Sequence, residues 1–251
     1  MLSDADLSRY ARQLPLPGWG PDGQRRLKNA RVIVAGAGGL GSGVLTCLAA
    51  AGVGYIRIVD SDTVELGNLN RQTLYTTGDI GRLKAPAARD RLALLNPDIE
   101  VAPLAKAISD ENVSEVVEGC HLIVDALDNL STRLLLNQVA VSRNLPLFHG
   151  AVYGFQGSAT TVVPPQTPCL RCLYQGAVPG KIPVVGVAST VIGCVQATEV
   201  LKFLMGMGDL LTGRLLMYDG LGMRFSEVKV KKDPDCQACG SYRPPEGRPG
   251  H

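Results

Sequence analysis

Carboxylates, amides and a guanidinium crowd into one short stretch, Asp60-Ser-Asp-Thr-Val-Glu-Leu-Gly-Asn-Leu-Asn-Arg-Gln72, and an ammonium follows at Lys84. Upstream, Gly36-Ala-Gly38-Gly39-Leu-Gly41 lies between an apolar strand pattern, Arg31 to Gly36, and a helical run, Leu45 to Ala51. Glycines in a strand-turn-helix context let the backbone bend and approach phosphates, while the helix N-terminus offers free N–H groups. Asp60 ends a second strand pattern, Tyr55 to Val59, where its carboxylate can accept hydrogen bonds from ribose hydroxyls. A dehydrogenase would fit this far. It would also need room for a second nucleotide and a hydride acceptor, whereas Asn68, Asn70, Arg71 and Lys84 concentrate amides and cations where a triphosphate would extend. A further strand, His121 to Val124, runs into Asp125-Ala-Leu-Asp128-Asn129, which sets carboxylates at the ligand edge of an open α/β sheet. Cations with a carboxylate for Mg²⁺ suit phosphoryl or nucleotidyl transfer. In the alternative reading, Arg71 and Lys84 are solvated loop charges and Asp128 caps the helix starting near Asn129.

Four of the seven cysteines form two knuckles, Cys169-x-x-Cys172 and Cys236-x-x-Cys239. Four thiolates match the tetrahedral preference of Zn²⁺ and leave no open position, so the expected role is structural, closing a loop of about 60 residues. A redox dithiol is the competing reading. Cys47, Cys120 and Cys194 lie in or beside apolar segments and are expected to be buried and inert.

These residues must be held by alternating strands and helices. Ser3 to Leu14 reads as a helix with Leu7, Tyr10, Ala11 and Leu14 on one face. Ala85 to Leu95 reads as a helix stopped by Asn96-Pro97, Ile99 to Leu104 as a strand, and Ser131 to Ser142 as a further crossover helix. Ser109 is expected to cap a short helix before His121. Leu147 to Gly150 and Gly157 to Val163 follow without a helix between them, so the sheet should turn antiparallel there. Val187 to Met205 reads as a long helix, with closing strands at Arg214 to Tyr218 and Arg224 to Lys231. The fold class expected is α/β, a Rossmann-like three-layer fold whose mixed, mostly parallel sheet continues into antiparallel strands, with a four-cysteine zinc knuckle.

The 251 residues include 45% hydrophobic and 19% charged, as a compact domain requires. A net charge of +2 gives no general reason for nucleic-acid binding. Apolar runs are short and interrupted, and the acidic start, Met-Leu-Ser-Asp-Ala-Asp, lacks the pattern of a signal peptide; no membrane partner and a cytoplasmic location are the expectation. One domain is expected over 1–240, with an N-terminal helical segment (1–30), a nucleotide-binding core (31–150) and a carrier-binding, zinc-bearing part (151–240). Residues 241–251 are expected to form a flexible tail.

Gly36-Ala-Gly-Gly-Leu-Gly41, Asp60-x-Asp62-x-Val-x-x-x-Asn68-Leu-x-Arg71-Gln72, Lys84, Asp128-Asn129 and the opening Arg9-Tyr-Ala-Arg12-Gln13 together resemble the ATP site of the ThiF/MoeB/HesA family, bacterial relatives of ubiquitin-activating enzymes. The resemblance runs from about residue 5 to about residue 240, and its Asn-Leu-x-Arg-Gln element is far more specific than the glycine turn. It implies ATP and Mg²⁺ as cofactors, zinc on the four knuckle cysteines, and a homodimer in which Arg12 reaches the neighbouring subunit's ATP; a surface salt bridge is the plainer role for Arg12. It also implies a ubiquitin-like sulfur-carrier partner ending in Gly-Gly, whose C-terminal glycine is adenylated, and a cysteine desulfurase or rhodanese-like sulfur donor, for thiamine, molybdopterin or related pathways. Some relatives carry a cysteine in the loop after the first knuckle, used to bind the carrier covalently; Leu173 to Gly186 has none here. That loop is expected to thread over the carrier's tail. A tRNA-modifying dehydratase of the same superfamily, a nicotinamide oxidoreductase and a non-catalytic binding scaffold are the alternative functions.

Overall fold

A computed structural model describes residues 2–174 and 183–240; the expected flexible tail lies outside them, as does most of the loop after the first knuckle. The chain opens with α1 (Asp4–Arg9) and α2 (Gly20–Asn29), then β1 (Arg31–Ala35), α3 (Gly39–Ala51) and β2 (Tyr55–Val59). Next come α4 (Lys84–Leu95), β3 (Glu100–Leu104), α5 (Val113–Val116), β4 (Leu122–Asp125) and α6 (Leu130–Arg143). The rest comprises β5 (Leu147–Tyr153), β6 (Gln156–Val162), α7 (Leu170–Leu173), α8 (Gly186–Met205), β7 (Arg214–Asp219) and β8 (Arg224–Lys229).

One eight-stranded sheet has the order β3-β2-β1-β4-β5-β6-β7-β8. From β3 to β5 every pairing is parallel, and from β5 to β8 every pairing is antiparallel, as the missing helix between Gly150 and Gly157 foretold. In β1, Val32 and Val34 face one apolar cluster, shared with α2, α3, α4 and α8, while Ile33 and Ala35 face another, shared with α5, α6 and α7. A strand covered on both faces must be apolar throughout, which is why Arg31–Ala35 shows no polar alternation.

Glycines bring helix against helix on the first face. A Cβ on Gly193 of α8 would sit 2.6 Å from the Leu40 carbonyl oxygen of α3. By length and by a mean hydropathy of 1.4, α8 could cross a membrane. Here it is a core helix: Gln196 donates to the Asp125 and Phe148 carbonyls at 2.8 and 3.0 Å, and Glu199 accepts from the Thr161 hydroxyl at 2.7 Å.

The N-terminus departs from expectation. Helix α1 stops at Arg9, and Leu7 and Ala11 are exposed while Tyr10 is buried. Tertiary hydrogen bonds outweigh the helical pattern there: Asn96 donates to the Tyr10 hydroxyl, and Gln13 donates to Gln24 and to the Ala51 carbonyl. Helix α2 carries one large apolar residue, Leu27, and escapes sequence reading, since the rest of its buried set is Gly23 and Gln24. The N-cap of α5 is Asn112 rather than Ser109; Ser109 instead donates its amide to the Asn112 side chain at 2.9 Å. Helix α3 begins at Gly39, six residues before the expected run, because its early glycines serve close packing.

Candidate active site

The strand order reverses between β1 and β4, and ligands of open α/β sheets bind in the crevice at such a switch point, beyond the strands' C-terminal ends. The glycine turn follows β1, Asp60 follows β2, and Asp128 follows β4, so the sheet topology brings three separate sequence motifs to one edge.

Direct contacts tie the motifs together. Gly36 has φ +96°, and a Cβ there would lie 2.6 Å from the Ala126 carbonyl oxygen, so the turn is wedged against the β4–α6 connection. A Cβ on Gly41 would sit 2.1 Å from the Gly36 carbonyl oxygen, and one on Gly39 2.8 Å from the Ser189 hydroxyl. Gly38 differs, for its nearest neighbour would be Gln72 Nε2 at 3.7 Å, an ordinary contact. Packing therefore explains Gly36, Gly39 and Gly41, while Gly38 is the N-cap of α3 and keeps open space at the start of that helix, with no side chain to cap it.

Asp60 accepts hydrogen bonds from the Ala37 amide at 2.8 Å and the Asp62 amide at 2.9 Å, so it braces the glycine turn as well as facing the crevice. Burial pushes its carboxyl above the ordinary range, with the two amides and Lys84 pulling the other way. Lys84 is buried at 5% exposure and pairs with Asp62 at 2.9 Å; it is not a solvated loop charge. Arg71 is half-buried and donates to the Gly67 carbonyl and the Asn70 side chain at 2.8 and 3.0 Å. Asn68 accepts from the Glu65 amide, which shapes the turn that presents Arg71. The start of α8 closes on this loop: a Cβ on Gly186 would lie 2.7 Å from the Asn70 carbonyl oxygen.

Asn129, not Asp128, caps α6, its side chain accepting from the Thr132 amide at 2.9 Å. The Asp128 carboxylate is exposed and makes no hydrogen bond or ion pair with the described residues. Arg12 is likewise exposed, and it forms no salt bridge with the described residues.

Sequence reasoning missed several neighbours. Tyr75 is buried and its hydroxyl reaches the Ala37 carbonyl at 2.9 Å, holding the glycine turn from below; burial raises this phenol's pKa. Gln72 is buried beside Gly38 with its Oε1 unpartnered, although it stands inside the quoted motif. Arg133 and His149 are buried around Asp125, the strand-end carboxylate that the sequence had shown without its partners.

The four knuckle cysteines converge as expected. Their sulfurs lie within 4.8 Å of one another, with Cys169–Cys236 at 3.7 Å and Cys172–Cys239 at 3.5 Å. Tetrahedral Zn–S bonds of about 2.3 Å would set sulfurs about 3.8 Å apart, so the donor set fits zinc. Burial raises the Cys236 thiol, but the Cys239 and Ala238 amides outweigh it and bring the thiol down to about 7. Of the other cysteines only Cys120 is buried as expected. Cys47 is half-buried and Cys194 exposed, with sulfurs 3.9 Å apart, because α3 and α8 meet through inner glycines and leave both cysteines at the outer seam.

Comparison with known proteins agrees with this geometry. The chain is 46% identical over 246 residues to the SAMP-activating enzyme E1 of Haloferax volcanii, covering 95% of this chain and 91% of that one. It is 44% identical over 247 residues to the sulfur carrier protein adenylyltransferase of Thermus thermophilus, covering 94% and 91%. Its fold matches the crystal structure of E. coli MccB with MccA-N7isoASN at a TM-score of 0.84 and 24% identity, over 96% of this chain and 76% of that one. The ThiF family model matches residues 10–238, a span that holds all eight strands and three of the four knuckle cysteines, and the chain belongs to the ThiF family.

Proposed function

We propose that this chain is an adenylyltransferase that uses ATP to activate the C-terminal glycine of a ubiquitin-like sulfur-carrier protein, releasing pyrophosphate. The observation that carries this reading is the gathering of the glycine turn, Asp60, Arg71, Lys84 and an unpaired Asp128 at one sheet edge. Similarity to a protein named sulfur carrier protein adenylyltransferase supports it.

A C-terminal carboxylate, with a pKa of about 3.5, is already ionised at neutral pH and needs no general base. Its oxygen bonds to the α-phosphorus of ATP as the bond from that phosphorus to the pyrophosphate oxygen breaks. What remains for the protein is positioning and charge. In this reading Asp60 holds the ribose, Asp62 orients Lys84, and Asn68, Asn70, Arg71 and Lys84 clamp the phosphates. Gly38 and the amides opening α3 receive phosphate oxygens, and Asn129 keeps α6 in place behind Asp128. Asp128 would hold Mg²⁺, whose charge would offset that of the phosphates, and its unpaired, exposed carboxylate fits that task. Cys169, Cys172, Cys236 and Cys239 would hold a structural Zn²⁺.

An apolar surface, Tyr153, Phe155, Leu221, Met223, Phe225 and Val228, is exposed around the β5–β6 and β7–β8 hairpins and suits a carrier's globular body. Residues 1–240 act as one domain in this reading, and Arg12 serves the site of a second copy in a homodimer. With no cysteine between Leu173 and Gly186, sulfur comes from a separate donor such as a cysteine desulfurase or rhodanese-like protein. ATP–pyrophosphate exchange against a panel of carriers ending in Gly-Gly is the test. Exchange is expected with at least one carrier, and none with any, where a known relative works, would overturn the proposal.

A further inference from the structure

Asp125 ends β4 three residues before Asp128, and it is fully buried. One of its oxygens accepts from the Leu127 amide at 3.1 Å, and the other from His149 Nδ1 at 2.7 Å. Arg133 Nη1 also lies 2.9 Å from Nδ1 and 3.2 Å from Nε2, and since a guanidinium only donates and a carboxylate only accepts, the consistent tautomer is the one protonated on Nδ1. Nδ1 carries the hydrogen given to Asp125, so Nε2 is free to accept from the Tyr174 hydroxyl, 2.7 Å away, with the two rings edge to face. Arg133, 6% exposed, reaches from α6 to lie 3.6 Å from the Asp125 carboxylate, and it donates to the Gly150 carbonyl at 2.8 Å and to the Leu127 carbonyl.

Leu127 is therefore held at both ends of its residue, its N–H by Asp125 and its C=O by Arg133, immediately before Asp128. Nothing in adenylation as described above uses this cluster, and a buried ion pair is poor value as mere stability compared with an apolar core. Its geometry has a direction. From Tyr174, two residues past knuckle cysteine Cys172, the bonds run through His149 and the Asp125–Arg133 pair to the peptide that carries Asp128.

We propose that Tyr174, His149, Asp125 and Arg133 are positioning residues that clamp Leu127 and so aim the Asp128 carboxylate, anchoring it to the end of the first cysteine knuckle. The effect on nucleotide rests on Asp128 being the Mg²⁺ ligand, whereas the clamp on Leu127 does not. Removing Asp125 or Arg133 would strand a buried charge and unfold the protein, so the informative variants are Tyr174→Phe and His149→Asn. The first deletes one hydroxyl. The second keeps a donor near Nδ1 for Asp125 and severs the bond to Tyr174.

Amide hydrogen exchange by NMR and calorimetric affinity for ATP with and without Mg²⁺ test the proposal on the full chain. In Tyr174→Phe, Leu127 should exchange about fivefold faster, the loss of one buried hydrogen bond, while Ile123 in β4 stays unchanged. Affinity for ATP with Mg²⁺ should fall about fivefold and affinity for ATP alone should hold. His149→Asn should match Tyr174→Phe in both readouts without exceeding it. Unchanged Leu127 exchange, or equal acceleration at Leu127 and Ile123, would overturn the clamp. Faster Leu127 exchange with unaltered affinity in Mg²⁺ would support the clamp and overturn the Mg²⁺ role of Asp128.

Discussion

The buried imidazole of His149 makes stability depend on pH in a direction the structure dictates. His149 is fully buried, and burial followed by the Arg133 charge lowers its pKa below the usual histidine value, with Asp125 opposing less strongly. Native His149 therefore stays neutral where an unfolded chain, with a histidine pKa of about 6.5, takes up a proton. Below that value the unfolded state binds more protons than the native state, so stability falls as pH falls. One proton corresponds to a limiting slope of about 1.4 kcal/mol per pH unit, persisting until the lowered native pKa is reached. Asp60, whose carboxyl is raised, works with the opposite sign at more acid pH, and Asp125, held low by Arg133 against its own burial, adds its loss only at still lower pH. Urea unfolding from pH 7.5 to 5.5, in wild type and in His149→Asn, isolates the histidine. Wild type should lose stability below about pH 6.5 with a slope approaching the limit, and the variant should start less stable but run flatter. Parallel pH profiles would refute the neutral buried state of His149.

Three further outcomes follow from the site. Gly41→Ala, which forces a Cβ onto the Gly36 carbonyl, should lower the Tm by about 3–10 °C, whereas Gly38→Ala should leave the Tm unchanged and weaken ATP binding at least about tenfold; calorimetry showing wild-type ATP affinity in Gly38→Ala would remove the phosphates from that glycine. Metal analysis should find one zinc per chain, and Cys239→Ser or chelation should lower the Tm by more than about 8 °C, since a cross-link closing a loop of about 60 residues is worth about 4 kcal/mol in chain entropy; an unshifted melting curve would refute a structural metal. Arg12→Ala and Asp128→Ala subunits should each be inactive alone, and after subunit exchange about a quarter of wild-type pyrophosphate exchange should return; no recovery on mixing would refute shared sites.

Much of this site is written in local spacing, and local spacing is what a sequence displays. The glycine turn, the acidic end of β2 and the two cysteine knuckles each sit within a few residues, and each is found where its pattern predicts. Helix boundaries fare worse where tertiary bonds decide them. Tyr10 and Gln13 leave helical geometry because Asn96, Gln24 and the Ala51 carbonyl offer partners that no window around residue 10 contains. The outward position of Cys47 and Cys194 is invisible for a similar reason, since it follows from which faces of α3 and α8 carry the glycines that meet.

The two carboxylates after β4 make the point most sharply. As sequence, Asp125 and Asp128 are equivalent acids at a strand end. The fold separates them by one feature, the last hydrogen-bonded position of the strand: Asp125 still pairs with His149 of β5, so its side chain is committed beneath the sheet, and Asp128 lies beyond that pairing, exposed. A buried carboxylate must find donors, and those available are the Leu127 amide, His149 of β5 and Arg133 of α6, the last two brought near by a strand pairing and a helix that no local window displays. The free carboxylate needs none within the described chain, which leaves it open to a metal. The family resemblance already singled out Asp128; what the sequence did not display is that Asp125 is buried and paired, and register, not composition, separates the two acids.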